Sequence, residues 1–383
     1  MLESYFDAIG RFGPFEWILT GLLGTVFLLK MIFLFLFTGR GLFRKQKAGK
    51  GNQPVSLILT LRNEEENLGT YLPAVLETLP RECEVVAVDD FSQDGSLTVL
   101  GMMKEKYKNL RLSALSQETR YSEKLAQNIA LKAAQNEWVL VIPPSVAEAG
   151  SRWINSVSSR LNGKKEIVVN YSNLNPANGF FHILYRAECF WQQVRSFGFI
   201  MNGLPYVNFE ENVAFRKENY FRSGGFGKKV KEPYANLELL INSFMKRRNT
   251  EIHFSRDAAL RKKMPVGRHT FFELIQKEIR IRKFLPFFRR FILFIESLLH
   301  LLYLPLFVLA FFVLTEFWPV WLALLVIHLT AFSFIIKILL NRLNERNLFL
   351  SSFMVGLMMP WFKFFYQGYF IRNSRRQKWK SKR

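Results

Sequence analysis

The sequence predicts an α/β protein, a mostly parallel sheet flanked by helices, with apolar helices before and after it that cross a membrane. Three observations predict this. Short β-rich runs alternate with helical runs between residues 54 and 146, the pattern of a parallel sheet covered by helices. Apolar stretches long enough to cross a hydrocarbon core of about 30 Å lie at both ends of the chain. Lysine and arginine crowd the borders of those stretches, as they do on the cytosolic side of membrane helices.

The formal charge of +22 accompanies 39 phenylalanines and 49% hydrophobic residues. A chain so basic meets either nucleic acid or an anionic membrane surface. Its cations follow the membrane borders and form no patch interleaved with aromatics, so no nucleic-acid partner is expected. Cys83 and Cys189 stand far apart, which excludes a disulfide framework or a cysteine zinc site and suits a reducing, cytosolic face. His182, His253, His269, His300 and His328 are scattered and define no metal site.

Residues 1–50 read as a signal anchor with a basic linker. The apolar run Trp17–Phe37 is preceded by Glu3, Asp7 and Glu16 and followed by Arg40, Arg44, Lys45, Lys47 and Lys50. A cleavable leader would be basic at its start, and this one is acidic. The bias places the N-terminus outside and the next domain in the cytoplasm, in an integral protein of the bacterial inner membrane. Lys30 lies within the run and is expected to snorkel toward the cytosolic headgroups.

Residues 51–266 form the cytosolic α/β domain. Val55–Leu61 is a first strand that ends in the polar stretch Arg62–Asn67, and a helical pattern follows to Leu79. Glu84–Val88 is a second strand, ending at Asp89–Ser96 and leading into another helix. Leu110–Leu115 is a third strand, Ser122–Gln135 a helix and Trp138–Ile142 a fourth strand. In such sheets ligands bind beyond the carboxyl ends of the strands. The acid-rich loops after the first two strands therefore mark the expected site.

Residues 267–290 mix Phe, Leu and Ile with Lys and Arg at helical spacing and are expected to lie along the membrane surface. Residues 291–383 are the C-terminal membrane region. Leu298–Leu314 and Trp318–Leu340, separated by Thr315, Glu316 and Phe317, predict a helical hairpin with Trp318 and Trp321 at the outer interface. Glu296 and His300, one turn apart, are expected to take part in an interfacial hydrogen bond. Leu348–Phe370 is interrupted by Pro360 and Lys363 and followed by a basic tail, which predicts a re-entrant or interfacial helix; a fourth span is the alternative.

The residues then point to a family. Asn63-Glu64-Glu65-Glu66-Asn67-Leu68 after the first strand, and Val88-Asp89-Asp90-x-Ser92-x-Asp94-Gly95-Ser96 after the second, closely resemble the opening motifs of family-2 glycosyltransferases. Lys124 and Asn128 resemble the next landmark of that family. Asn212-Val-Ala-Phe-Arg216 followed by Gly224-Gly225-Phe226 resembles its acceptor-side segment, and Trp379-Lys380 resembles the close of many membrane members. The resemblance covers residues 54–290 and implies a GT-A fold, a UDP- or GDP-linked sugar donor, and an inverting hexosyl transfer to a lipid or glycan acceptor. It implies nucleotide binding by Glu64, Asp89, Asp90, Asp94 and Lys124. A carboxylate such as Asp89 accepts the imide N–H of uracil or guanine. The reading without a nucleotide makes Asp89 and Asp90 a strand-end turn, with Ser92 or Asp94 as a helix cap.

Three of the family's features are rewritten. Its Asp-x-Asp, which holds Mg²⁺ or Mn²⁺ on the donor diphosphate, falls on Ile142-Pro143-Pro144-Ser145, so no metal ligand is expected. Its Glu-Asp pair, which supplies the base, falls on Ala235-Asn236, and an amide takes no proton at neutral pH. Glu232 and Glu238 are the nearby candidates for that role. Its Gln-x-x-Arg-Trp becomes Gln276, Arg280 and Arg282-Lys283-Phe284, leaving Arg280 and Arg282 to meet the diphosphate. Two functions follow: a membrane glycosyltransferase, or a pseudoglycosyltransferase that binds nucleotide and protein partners within an envelope-assembly system.

Overall fold

The computed structural model describes residues 10–43, 49, 51, 53–119, 121–147, 149–161 and 165–373. Glu3, Asp7, Arg44, Lys45, Lys47, Lys50 and the Trp379-Lys380 pair of the sequence argument lie outside the described residues. Packing divides the chain into two units. One comprises Met1–Leu42, Pro286–Leu339 and Phe349–Arg383; the other comprises Phe43–Leu285 and Leu340–Leu348.

The first unit opens with α1, Pro14–Phe33, which starts on a proline at its first turn and continues as a π-helical turn, Leu34–Thr38. Proline suits that position because the first turn has no intrahelical use for its N–H. Lys30 does not reach outward. It is buried, with its ammonium 5.8 Å from the centre of the Tyr303 ring, so a π face within the unit replaces the headgroups as its partner.

The second unit follows the expected order through its first half. It runs β1 Val55–Leu61, α2 Glu65–Thr78, β2 Glu84–Asp89, α3 Ser96–Lys106, β3 Leu110–Ala114, α4 Ser122–Ala133 and β4 Trp138–Val141. The second half adds α5 Ser151–Ser158, β5 Ile167–Asn170, β6 Ser172–Leu174, α6 Phe180–Met201, β7 Val213–Arg216 and α7 Lys217–Arg222. It closes with α8 Leu237–Phe244, β8 Thr250–His253, β9 Leu260–Lys262 and α9 Arg268–Phe284.

Seven strands make one sheet in the order β3-β2-β1-β4-β7-β5-β8. All neighbours are parallel except β7, which runs antiparallel to both β4 and β5. Residues of β1 and β2 are buried on both faces, as a parallel sheet covered by helices requires. Leu57, Leu59 and Val85 pack with Leu68, Leu72 and Val75 of α2 in the main core. A second sheet pairs β6 with β9, and Val146, just past β4, bridges to Lys262 of β9.

Helix α9 ends at Phe284, and Pro286 caps the next helix, so the amphipathic segment stops short of residue 290. Phe271, Ile275 and Ile281 of α9 are buried within the second unit. Lys277 of α9 points inward to an ion pair with Glu238 instead of toward phospholipid.

The remaining helices of the first unit are α10 Phe287–Val313, α11 Trp318–Arg342 and α12 Phe349–Asn373. Leu19, Leu23 and Val26 of α1 pack with Leu299, Tyr303 and Phe307 of α10. Trp318 is exposed, but Trp321 packs inward in the same cluster, contrary to its expected place at an interface. The His300 ring bonds the Glu296 carbonyl at 2.8 Å. Helix α12 runs unbroken through Pro360, where the sequence predicted an interruption. Four helices among the described residues are long and apolar enough to cross a membrane: Pro14–Leu42, Phe287–Val313, Thr315–Arg342 and Phe349–Gly368. Leu340–Leu348, expected within the membrane region, packs with the second unit.

Candidate active site

The strand register sets the site. Leu61 pairs with Asp89 at the ends of β1 and β2, so the two acid-rich loops leave the sheet side by side. They then clip to each other. The Asn63 amide N–H donates to Ser92 Oγ at 2.9 Å, and the Gln93 N–H to Asn63 Oδ1 at 2.7 Å. The Glu64 N–H donates to Ser96 Oγ at 2.8 Å, the Glu65 N–H to Asp94 Oδ2 at 3.1 Å, and the Gly95 N–H to Glu65 Oε2 at 2.9 Å. Asn63 and Phe91 hold φ of 56° and 58°, a left-handed conformation that asparagine tolerates and phenylalanine rarely adopts.

Within this clasp the acids have distinct surroundings. Asp89 is 2% exposed and accepts from both the backbone N–H and the hydroxyl of Ser92. Asp90 beside it is also buried. Asp94 takes the N–H groups of Ser96 and Glu65. Burial alone would raise its pKa, but the Ser96 hydroxyl and those N–H groups outweigh burial and hold it below the usual carboxylate value. Asp94 thus fastens the loops; the cap of α3 is Gly95, with no side-chain cap bond, so neither Ser92 nor Asp94 is the expected cap. Glu64 is pushed up by burial, against a bond from Asn67.

Past β4 the chain reads Ile142-Pro143-Pro144-Ser145. The Ile142 N–H continues the ladder to the Ile58 carbonyl at 3.0 Å. The Lys263 N–H donates to the Ser145 carbonyl and the Ala147 N–H to the Arg261 carbonyl, at 2.9 and 2.8 Å. This segment is therefore an edge zipped to β9 and presents no carboxylate. Among the described residues no group of three His, Cys, Asp or Glu side chains could hold a metal ion. The residues here do not fit a divalent metal.

The other wall comes from the loop before β7. Because β7 is antiparallel to β4, its start lies at the end of β4, and the Asn212 N–H donates to the Val141 carbonyl at 2.8 Å. Asn212 is itself locked: its side-chain amide donates to the carbonyls of Tyr171 and Ala258, at 2.7 and 2.8 Å. The preceding Glu210 accepts the Leu237 N–H on Oε2 at 2.8 Å and the Gln127 amide on Oε1 at 3.1 Å. Glu211 pairs with Lys262 at 2.7 Å.

Glu238 is fully buried, 2.9 Å from Lys277. Burial raises its pKa, but Lys277 prevails and holds it below the ordinary value. Glu210 is pushed well above the ordinary value, first by burial and then by the charge of Glu238. Lys277 in turn is raised, because these carboxylates outweigh the effect of burial.

Of the expected residues, Lys124, Glu232, Glu238 and Arg280 come together. Lys124 is buried and donates to the Glu232 carbonyl at 2.5 Å, and burial lowers its pKa. Arg280 lies 3.8 Å from the Glu232 carboxylate, with its guanidinium over the Tyr234 ring. Arg282, two residues along α9, points elsewhere: it pairs with Glu278, which also takes Arg195 of α6. The expected arginine pair is thereby split between two faces of the helix. A groove of about 480 Å³ lies beside Lys124, between Asn128 and the Gly224–Gly227 turn.

The sequence reading missed Glu210, Glu211, Lys262 and Lys277. An adjacent acidic pair just before the Asn212–Arg216 segment of the family resemblance was a usable signal for the first two. For Lys277 and Lys262 there was none, because their partners lie far away in sequence.

Comparison with known proteins follows this geometry. Residues 56–142 match the family described as Glycosyl transferase family 2. A stretch of 106 residues is 29% identical to the poly(ribitol-phosphate) beta-glucosyltransferase of Bacillus spizizenii, covering 26% of this chain and 17% of that protein. The match therefore spans about a sixth of the relative's length. The mannosyltransferase PcManGT from Pyrobaculum calidifontis, solved with GDP-Man and Mn²⁺, has a TM-score of 0.56 at 20% identity, over 89% of this chain and 97% of that one. That likeness is one of fold, and it agrees with the GT-A-like sheet. The structure of S. aureus TarS 1–349 with UDP gives a TM-score of 0.42 at 16% identity, over 80% and 91% of the two chains.

Proposed function

We infer that this chain, which carries a family-2 glycosyltransferase domain in residues 56–142, transfers a sugar from a UDP- or GDP-linked donor to a lipid or glycan acceptor at a membrane. The observation that carries this reading is the layout of one sheet edge. Asp89 and Asp90 stand at the tip of β2, and the acid cluster around Glu210 stands at the start of β7, with the end of β4 between them. A base-and-ribose site and a proton-accepting site thus flank the place where a sugar would lie. The curated relative, a poly(ribitol-phosphate) beta-glucosyltransferase, supports a polymer acceptor. Four apolar helices support a membrane location, and the charge bias at their ends supports a cytoplasmic domain in the inner membrane.

A departing nucleoside diphosphate develops negative charge, which metal or cationic side chains stabilise. Since the end of β4 does not fit a metal, this reading assigns the charge to Lys124 and Arg280. One observation favours the second reading, a nucleotide-binding scaffold of envelope assembly. The segment Pro143–Ser145, where the family's metal ligands would fall, is zipped to β9.

Purified full-length protein titrated with UDP- and GDP-sugars, with Mn²⁺ or EDTA, separates the two. The expected result is binding indifferent to EDTA, with diphosphate release that needs no metal. Binding with no release would establish the scaffold. Release that depends on Mn²⁺ would show a metal site the β4 end does not provide. Asp89→Ala is expected to weaken nucleotide binding about tenfold or more, since a hydrogen bond to a charged group contributes roughly 1.5–3 kcal/mol. Calorimetry showing unchanged affinity would remove Asp89 from the site.

A further inference from the structure

We propose that the carboxylate of Glu210 is the group that takes the proton from the acceptor hydroxyl during transfer. The proposal rests on the transferase reading above and names its missing base. Position is the first argument. The resemblance puts the family's base at Asn236, an amide. Glu210 reaches the same spot from another loop, because its Oε2 accepts the N–H of Leu237, the next residue. The side chain thus lies against the segment where an aspartate would otherwise stand.

Exposure is the second argument. Glu210 keeps some exposed surface, in the loop that precedes β7 beside the end of β4. Glu238 has no exposed surface and is paired with Lys277. Glu232 is buried, its Oε1 accepts the Tyr234 N–H at 3.3 Å, and Arg280 lies beside it. Of these three acids Glu210 alone is not fully buried, and donors on both oxygens fix its orientation.

The third argument is tuning. Glu210 faces Gln127, Lys124 and Glu123 of α4, Glu238 of α8, Lys262 of β9 and Lys277 of α9, with Glu211 next to it in the chain. Burial and Glu238 favour its neutral form, and Lys277 opposes them, leaving a carboxyl that holds its proton more tightly than an ordinary one. A base that binds protons more tightly is stronger when it is ionised.

The step balances simply. The acceptor O–H proton passes to Glu210, and the freed oxygen pair forms the bond to the sugar's anomeric carbon. The bond from that carbon to the phosphate oxygen breaks, and its electron pair leaves with the nucleoside diphosphate. The proton on Glu210 then returns to solvent.

The test uses the full chain in nanodiscs, with whichever of UDP-glucose or GDP-mannose it turns over. Glu210→Gln, which keeps size and can keep the bond from the Leu237 N–H through its one oxygen, is expected to lower kcat by about 10²–10⁴-fold while leaving donor Kd within about twofold. Wild-type kcat should rise with pH along a limb above the usual carboxylate range, and Glu210→Gln should lose that limb. Glu210→Asp should restore part of the rate and the limb. If Glu210→Gln turns over at the wild-type rate, or loses donor affinity and melting temperature along with kcat, the assignment is overturned and the transferase reading survives. If wild-type protein turns over neither donor, both are overturned.

Discussion

Glu345→Ala is expected to destabilise the second unit by about 3–5 kcal/mol, the range seen when one partner of a buried ion pair is removed. Glu345 lies in the short segment after α11 and its side chain has no exposed surface. Its carboxylate accepts from Arg186 at 2.8 Å, from the Tyr171 hydroxyl at 2.7 Å, from the Asn173 amide at 2.9 Å, and from Arg261. Both arginines also donate to carbonyls of the same segment, Arg261 to Leu343 and Asn344, and Arg186 to Arg346. One carboxylate thus compensates two buried guanidiniums. Its removal would take away the counter-charge that both share, in a medium that solvates them poorly. At roughly 2–4 °C per kcal/mol for a unit of this size, the melting temperature of purified protein should fall by about 6–20 °C. A drop of under 2 °C would show that the network contributes nothing net.

Lys277→Met should have an effect of similar size, and it should depend on pH. Lys277 is the cation beside Glu238 and close to Glu210. In the native protein Glu238 is held below its ordinary pKa by Lys277, against burial. A carboxylate depressed in this way contributes stability above its unfolded pKa, and that stability is lost as pH falls through the folded value. In Lys277→Met, burial acts unopposed and raises the folded pKa. The sign then reverses: the variant gains stability relative to its unfolded state as pH falls and Glu238 takes up a proton. The gap in melting temperature between wild type and variant should therefore be widest near pH 8 and narrow toward pH 5. A gap that is constant across this range would mean that Lys277 acts by packing alone.

Some of this was legible in the residues because it is local. The four strands β1 to β4 appear within a residue or two of their expected limits, since a short run of buried β-branched and aliphatic residues between turns has few other folds. That the two acid loops meet was legible for a similar reason, though not the hydrogen bonds that clip them together. Asn63, Ser92, Asp94 and Ser96 lie just past strand ends that parallel pairing sets side by side. Lys30 and Trp321 were misjudged, because each depends on a neighbouring helix that hydropathy alone does not specify. Pro360 was read as a break, yet α12 continues through it, since proline removes one backbone bond and kinks a helix without always ending it.

The sequence by itself determined the class of the sheet, the strands that lead into the two acid-rich loops and the apolar helices at the chain's ends. Each follows from periodicity and residue type over a span of about ten residues. Only the tertiary structure decided which acid has access and which is sealed. Glu238 lies near the expected place in the sequence but is enclosed against Lys277, while Glu210 comes from the loop before the antiparallel β7, which no local pattern links to it. The reason is physical. A carboxyl's proton affinity is set by burial and by charges a few ångströms away, and here those neighbours come from α4, α8 and α9, far apart along the chain.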